Sequence, residues 1–138
     1  MRDIKQARAM LRMAHRDFTA LMGMARDTLA FAEEIFGFHA QQAVEKALKA
    51  WICLHGIEYP FTHQLARLMT ILNNAGEDME LFWALDQYSV YSVQARYEEG
   101  DVALDEPLNR DAVIVEVQTL LDKVDVLIGQ IDDTGASD

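Results

Sequence analysis

HAQQAVEKALKAW, running from His39 to Trp51, is the stretch whose reading decides the fold. At a helical period Phe36, Ala40, Ala43, Val44, Ala47, Leu48, Trp51 and Leu54 fall on one broad apolar face. Gln42, Glu45, Lys46 and Lys49 are expected to project from the other side. Their spacing of three, four and seven residues places an amide, a carboxylate and two ammonium groups where they can act on one small object. The same pattern also suits an ordinary solvated helix edge, in which a Glu45–Lys49 pair contributes about 0.3–0.5 kcal/mol.

Working outward, the chain divides into five predicted helices and no strand pattern. The first is expected from Asp3 to Ala25 and the second from Thr28 to Leu54, capped by Asp27 or Thr28. Gly37 lies inside the second, where a kink or interruption is expected. Gly56 and Pro60 mark the connection, and Thr62 is the expected cap of a third helix reaching Asn74, with Leu65, Leu68, Met69 and Leu72 inward and Gly76 beyond its end. A fourth is expected from Asp78 to Arg96, with Leu81, Leu85 and Tyr88 along one side, followed by an acidic loop from Glu98 to Glu106. Pro107 suits the first turn of the last helix. There Val113, Val117, Leu120, Val124, Leu127 and Ile131 form a narrow seam that suits packing within one chain or against a second copy.

The organisation is therefore an all-α, single-domain, up-down helical bundle over residues 1–131. A short tail, DDTGASD at 132–138, carries too little apolar surface to order itself. A chain of 138 residues suffices for a substantial core. No apolar run approaches the ~20 residues needed to span a bilayer, and the opening MRDIKQARAML lacks a secretory apolar segment. These features predict a cytoplasmic protein without membrane contact. Cys53, the single cysteine, reads as a buried packing thiol.

Charge is unevenly spread. Residues 1–26 carry +4, residues 27–76 carry −2 and residues 77–138 carry −13, within a net of −11. An acidic surface repels a polyanion over a Debye length of about 8–10 Å, which opposes broad duplex binding but leaves room for a focused phosphate site. Lys5, Arg8, Arg12 and Arg16 lie along one side of the first helix, opposite Met10, Ala14, Phe18 and Leu21, as a solvated basic stripe.

The segment FAEEIFGFHAQQAVEKALKAWICLHGIEYPFTHQLARL resembles the HEPN domain (higher eukaryotes and prokaryotes nucleotide-binding). The shared marks are an aromatic residue before AxQxxEKxxKA, here Gln42, Glu45, Lys46 and Lys49; Thr62-His63 after a Gly/Pro loop; and Arg96-Tyr97 in VQARYE. The resemblance implies a homodimer with a nucleotide or short-RNA phosphate pocket walled by Gln42, Glu45, Lys46, Lys49, His63 and Arg96, with Tyr97 stacking on a base. It also implies an alternative role, as the toxin or substrate-positioning partner of a separately encoded minimal nucleotidyltransferase. This chain lacks the Gly-Ser and paired-Asp signature of such a transferase, so it fits only the partner's place.

Catalysis is not expected. Nuclease members resemble one another in an Arg followed, after four to six residues, by His, whereas Arg96 precedes Tyr97, Glu98, Glu99, Gly100 and Asp101, and no histidine follows His63. Arg8 and His15 fall on the first helix, the wrong element, so a degenerate metal-independent ribonuclease is the remaining enzymatic alternative. His15, His39, His55 and His63 have no zinc-type spacing with each other or with Cys53, and Glu33 and Glu34 diverge around their helix. No glycine-rich phosphate loop occurs, and no cofactor or metal is expected. His63, at a helix start, is placed where backbone N–H groups receive an anion.

Overall fold

The computed structural model describes residues 3–92 and 107–133. Among them are α1 (Ile4–Met24), α2 (Glu33–Leu54), α3 (Leu65–Asn74), a 3₁₀ helix (Trp83–Tyr91) and α4 (Arg110–Asp133), with no strand. The architecture is the expected all-α bundle. No described helix is long and apolar enough to cross a membrane.

α2 is the axis of the molecule, packing against α1, α3, α4 and the 3₁₀ helix. Its predicted apolar face is buried from Phe36 to Leu54, and Ala50, Ile52 and Cys53 are buried as well. A helix enclosed on most sides has little solvated edge, so its polar residues meet protein rather than water. α1 contributes Ile4, Ala7, Leu11, Ala14, Phe18 and Leu21, alternating three and four apart. Cys53 is buried as expected, and burial, reinforced by the nearby Asp3 carboxylate, pushes its thiol up.

Helix ends follow local chemistry. Asp3 caps α1 by accepting from the Gln6 N–H at 3.0 Å. α2 and α3 both end in left-handed glycines, Gly56 at φ 70° and Gly76 at φ 98°. At each, paired bonds close the last turn: Gly56 N–H to the Cys53 carbonyl with Ile57 N–H to Ile52, and Gly76 N–H to Asn73 with Glu77 N–H to Leu72. This second closure sets Glu77 beside the end of α2.

Several boundaries differ from the sequence expectations. α2 begins at Glu33, because Asp27 spends its carboxylate on the Ala30 N–H at 2.8 Å and closes a separate turn. Gly37 interrupts nothing. An added Cβ there would lie 2.5 Å from Cγ and Cδ1 of the Tyr91 ring, so the glycine admits that ring against an unbroken helix. α3 begins at Leu65, not after Thr62, whose hydroxyl accepts from the Gln64 N–H inside the preceding loop. Its first N–H groups are instead satisfied from a distant element: Ser89 Oγ accepts from Leu65 and Asp86 Oδ1 from Ala66.

That capping helps explain why the expected fourth α-helix is a 3₁₀ helix. At three residues per turn, Leu85, Tyr88 and Tyr91 align on the buried side, while Asp86 and Ser89 align toward α3. Leu81, expected inward, is 79% exposed; Met79 and Phe82 fill the core in its place. Pro107 precedes α4 by three residues and so lies outside its first turn; Asn109 Oδ1 caps that turn through the Ala112 N–H at 3.1 Å. Along α4, Val113, Val117, Leu120, Leu121, Val124 and Ile128 are buried, whereas Leu127 and Ile131 are only half-buried. Arg110 ties this helix to the opening loop, donating to the carbonyls of Met24 (3.0 Å) and Phe31 (2.7 Å) with its guanidinium 4.9 Å from the Phe36 ring centre. Arg96, Tyr97 and the Glu98–Glu106 loop lie outside the described residues, as does the tail from 134 onward.

Candidate functional site

Gln41, Glu45 and Lys49 occupy successive i, i+4 positions along one line of α2, and all three are buried. Glu45 is the hub. Its Oε1 accepts from Gln41 Nε2 at 2.9 Å and from His63 Nδ1 at 2.9 Å, and its Oε2 accepts from Lys49 Nζ at 3.0 Å. Gln41 Nε2 also donates to the His63 carbonyl at 3.1 Å, fastening the loop before α3 at two atoms of one residue. Gln42 completes the chain, donating to Gln41 Oε1 at 2.7 Å.

The electrostatics follow from these partners. Burial alone pushes the Glu45 carboxyl up, but the hydrogen bonds from Gln41, His63 and Lys49, with the Lys49 charge, outweigh it and hold the group below its ordinary range. Lys49 is 7% exposed, and its ammonium sits 5.1 Å from the centre of the Tyr59 ring. A carboxylate only accepts, so the bond to Glu45 requires a proton on Nδ1 of His63. Nε2 is then the ring's remaining polar edge, on a side chain 34% exposed. Phe61, 98% exposed, meets the imidazole edge-on with centroids 6.2 Å apart.

The expected solvated edge is thus corrected. Glu45, Lys49 and His63 are joined directly, and Gln42 reaches them only through Gln41, which a reading of the motif passes over. Lys46 turns to a different partner, donating to Asp17 Oδ2 on α1 at 2.6 Å, while Asp17 Oδ1 engages His39 Nδ1 at 3.1 Å. Both lysines therefore already have carboxylate partners. The i, i+4 repeat of amide, carboxylate and ammonium at 41, 45 and 49 was the signal available for the missed residue.

Each remaining histidine also meets a carboxylate. His15 on α1 faces Asp125 on α4 at 3.0 Å, and His55 faces Glu77 at 2.8 Å. Among the described residues, no group of three or more His, Cys, Asp or Glu side chains is arranged to hold a metal ion.

No curated protein and no solved structure gives a significant match to this chain. The sequence profile of the HEPN domain, however, matches residues 4–127, which takes in α1, α2, α3, the 3₁₀ helix and most of α4. With that coverage and the all-helical bundle around the Gln41–Glu45–Lys49 line, this chain belongs to the HEPN domain family.

Proposed function

We propose that the chain is a dimeric, non-catalytic HEPN module that binds the phosphate of a nucleotide or short RNA at the outer edge of His63. The observation that carries this reading is the Glu45–His63 bond, which holds the ring by Nδ1 and leaves Nε2 as the polar edge of a partly exposed side chain beside an exposed aromatic one. When protonated, Nε2 donates to a phosphate oxygen, and Phe61 offers a face on which a base stacks. Lys49 lies behind Glu45 and makes the carboxylate's neighbourhood less repulsive to an anion. Arg96 and Tyr97, from the part of the chain beyond the described residues, are assigned to the same site. Lys46 serves it indirectly, by joining α2 to α1 through Asp17.

The partner reading has its own support. Leu29 (98% exposed), Leu81 (79%), Val115 (65%) and Val126 (55%) present apolar surface, and α4 carries Asp111, Glu116, Asp122 and Asp125 against Arg110 and Lys123. The exposed apolar residues suit a second copy, and the acidic field of α4 suits a basic subunit such as a minimal nucleotidyltransferase. Calorimetric titration of ATP, GTP and short RNA into wild type, His63→Ala and Phe61→Ala tests the binding reading. Saturable binding weakened about tenfold or more by His63→Ala is expected, since a charge-assisted hydrogen bond is worth about 1.5–3 kcal/mol. Undetectable binding by wild type removes the claim, and mass measurement of the protein purified from its native cells separates a homodimer from a mixed complex.

A further inference from the structure

A cleft of about 330 Å³ opens on another part of the molecule, between the last turn of α2, the residue after Gly76 and the C-terminal third of α4. Its size lies at the lower end of small-molecule sites, roughly 300–1,000 Å³. Trp51, Leu54, Leu127 and Ile131 supply apolar wall, and the polar edge comes from His55, Glu77 and Gln130. This combination of an apolar body with few polar groups is the usual make-up of a ligand pocket.

Glu77 is held in an asymmetric way. Its Oε2 accepts both the Trp51 indole N–H and His55 Nε2, each at 2.8 Å. Oε1 receives no hydrogen bond from any described residue. Burial pushes this carboxyl up, but the bonds from His55 and Trp51 and the nearby charges of His55 and Lys123 hold it below its ordinary range. Glu77 thus brings to the cleft one oriented carboxylate whose second oxygen is open to a donor, beside an apolar wall. Because Oε2 is already occupied twice, the geometry suits a single-point donor such as an ammonium, not the two-pronged grip of a guanidinium.

We infer that this cleft binds a small amphiphilic amine, its ammonium on Glu77 Oε1 and its hydrocarbon or aromatic body against Leu54, Leu127 and Ile131. The site is separate from the His63 edge and does not depend on the phosphate reading. Lys123, with its ammonium 6.0 Å from the Trp51 ring centre, is the internal cation that competes for the same carboxylate. It is exposed on α4 and acts on Glu77 only through its charge, so the incoming amine breaks no ion pair. The net charge of −11 favours a cationic ligand over an anionic one.

The test uses 2-phenylethylamine, with 2-phenylethanol as its uncharged counterpart, titrated into the full chain while the Trp51 indole N–H is followed by two-dimensional NMR. Trp83→Phe assigns the signal. The amine is expected to shift that resonance saturably, with the alcohol, whose O–H makes only a neutral hydrogen bond, weaker by about fivefold or more. Glu77→Gln is expected to remove the preference for the amine. Lys123→Ala, an exposed substitution that leaves the core untouched, is expected to tighten amine binding and not alcohol binding. Absence of a saturable shift with the amine, equal binding of amine and alcohol by wild type, or indifference to Lys123→Ala overturns the inference. His63→Ala is expected to leave the titration unchanged, so failure here and failure of the phosphate reading are read separately.

Discussion

Replacing Glu45 with alanine is the most informative single change, because one carboxylate holds three donors from α2 and the loop before α3. Gln41 Nε2 keeps its second bond to the His63 carbonyl, and His63 can turn toward solvent. Lys49 has no such escape. At 7% exposure its ammonium remains in the protein with only the Tyr59 ring nearby. Breaking a buried ion pair from one side typically costs about 3–5 kcal/mol. The low exposure of both partners means that solvent screening takes little of this away. Glu45→Ala is therefore expected to lose about 3 kcal/mol in urea unfolding followed by circular dichroism, with an unchanged slope. Adding Lys49→Met removes the stranded charge and is expected to recover at least half of that loss, by about 1.5 kcal/mol or more. A Glu45→Ala loss below about 1 kcal/mol, the range of exposed pairs, refutes the reasoning. So does a double variant no more stable than the single one.

Other perturbations follow from the same geometry. Gly37→Ala gains about 1 kcal/mol of helix propensity but forces a methyl against the buried Tyr91 ring at 2.5 Å, an overpacking worth about 1–3 kcal/mol, so net destabilisation is expected in thermal melts. Asp86→Ala strips the Ala66 N–H of its distant cap and is expected to cost about 1 kcal/mol, with faster amide exchange at Ala66. Glu45 and Glu77 both have folded-state values below the ordinary 4.5. Their contribution is therefore complete above the unfolded value and is lost as pH falls through the lower folded values, and Glu45→Gln is expected to flatten the urea midpoint below pH 4.5. Tyr88→Phe deletes the 2.5 Å bond to Glu116 Oε2 that joins the 3₁₀ helix to α4, and is expected to cost about 1–2 kcal/mol by denaturant titration.

The fold was legible where apolar spacing alone decides burial. Phe36 to Leu54 on α2, Leu65 to Leu72 on α3 and Val113 to Val124 on α4 are inward as their periods require. The turn after α3 was readable from Gly76, because a left-handed residue is what such an ending needs. Tertiary partners were not readable. Asp86 and Ser89 look like ordinary helix residues until α3's bare N–H groups are placed beside them. Leu81 fits a helical stripe only if its segment is α-helical; it lies in the turn before the 3₁₀ helix, where Met79 and Phe82 take the inward positions.

The site shows the same division. Pairing Glu45 with Lys49 needed only helix geometry, and the two do pair. Treating Gln42 as the central amide assumed that polar residues on α2 face water. The helix is enclosed, and the inward amide is Gln41. Lys46 left the expected group because Asp17 lies across the α1–α2 contact, a proximity that no local spacing announces.

Nitrogen-15 spectroscopy of the His63 imidazole, with and without short RNA, tests the claim that Glu45 fixes this ring for an anion more directly than any other measurement. The account requires a ring that carries a proton on Nδ1 in the free protein and a ligand-induced change centred on Nε2. A ring protonated at Nε2 alone, or one whose Nε2 signal ignores saturating RNA, contradicts it.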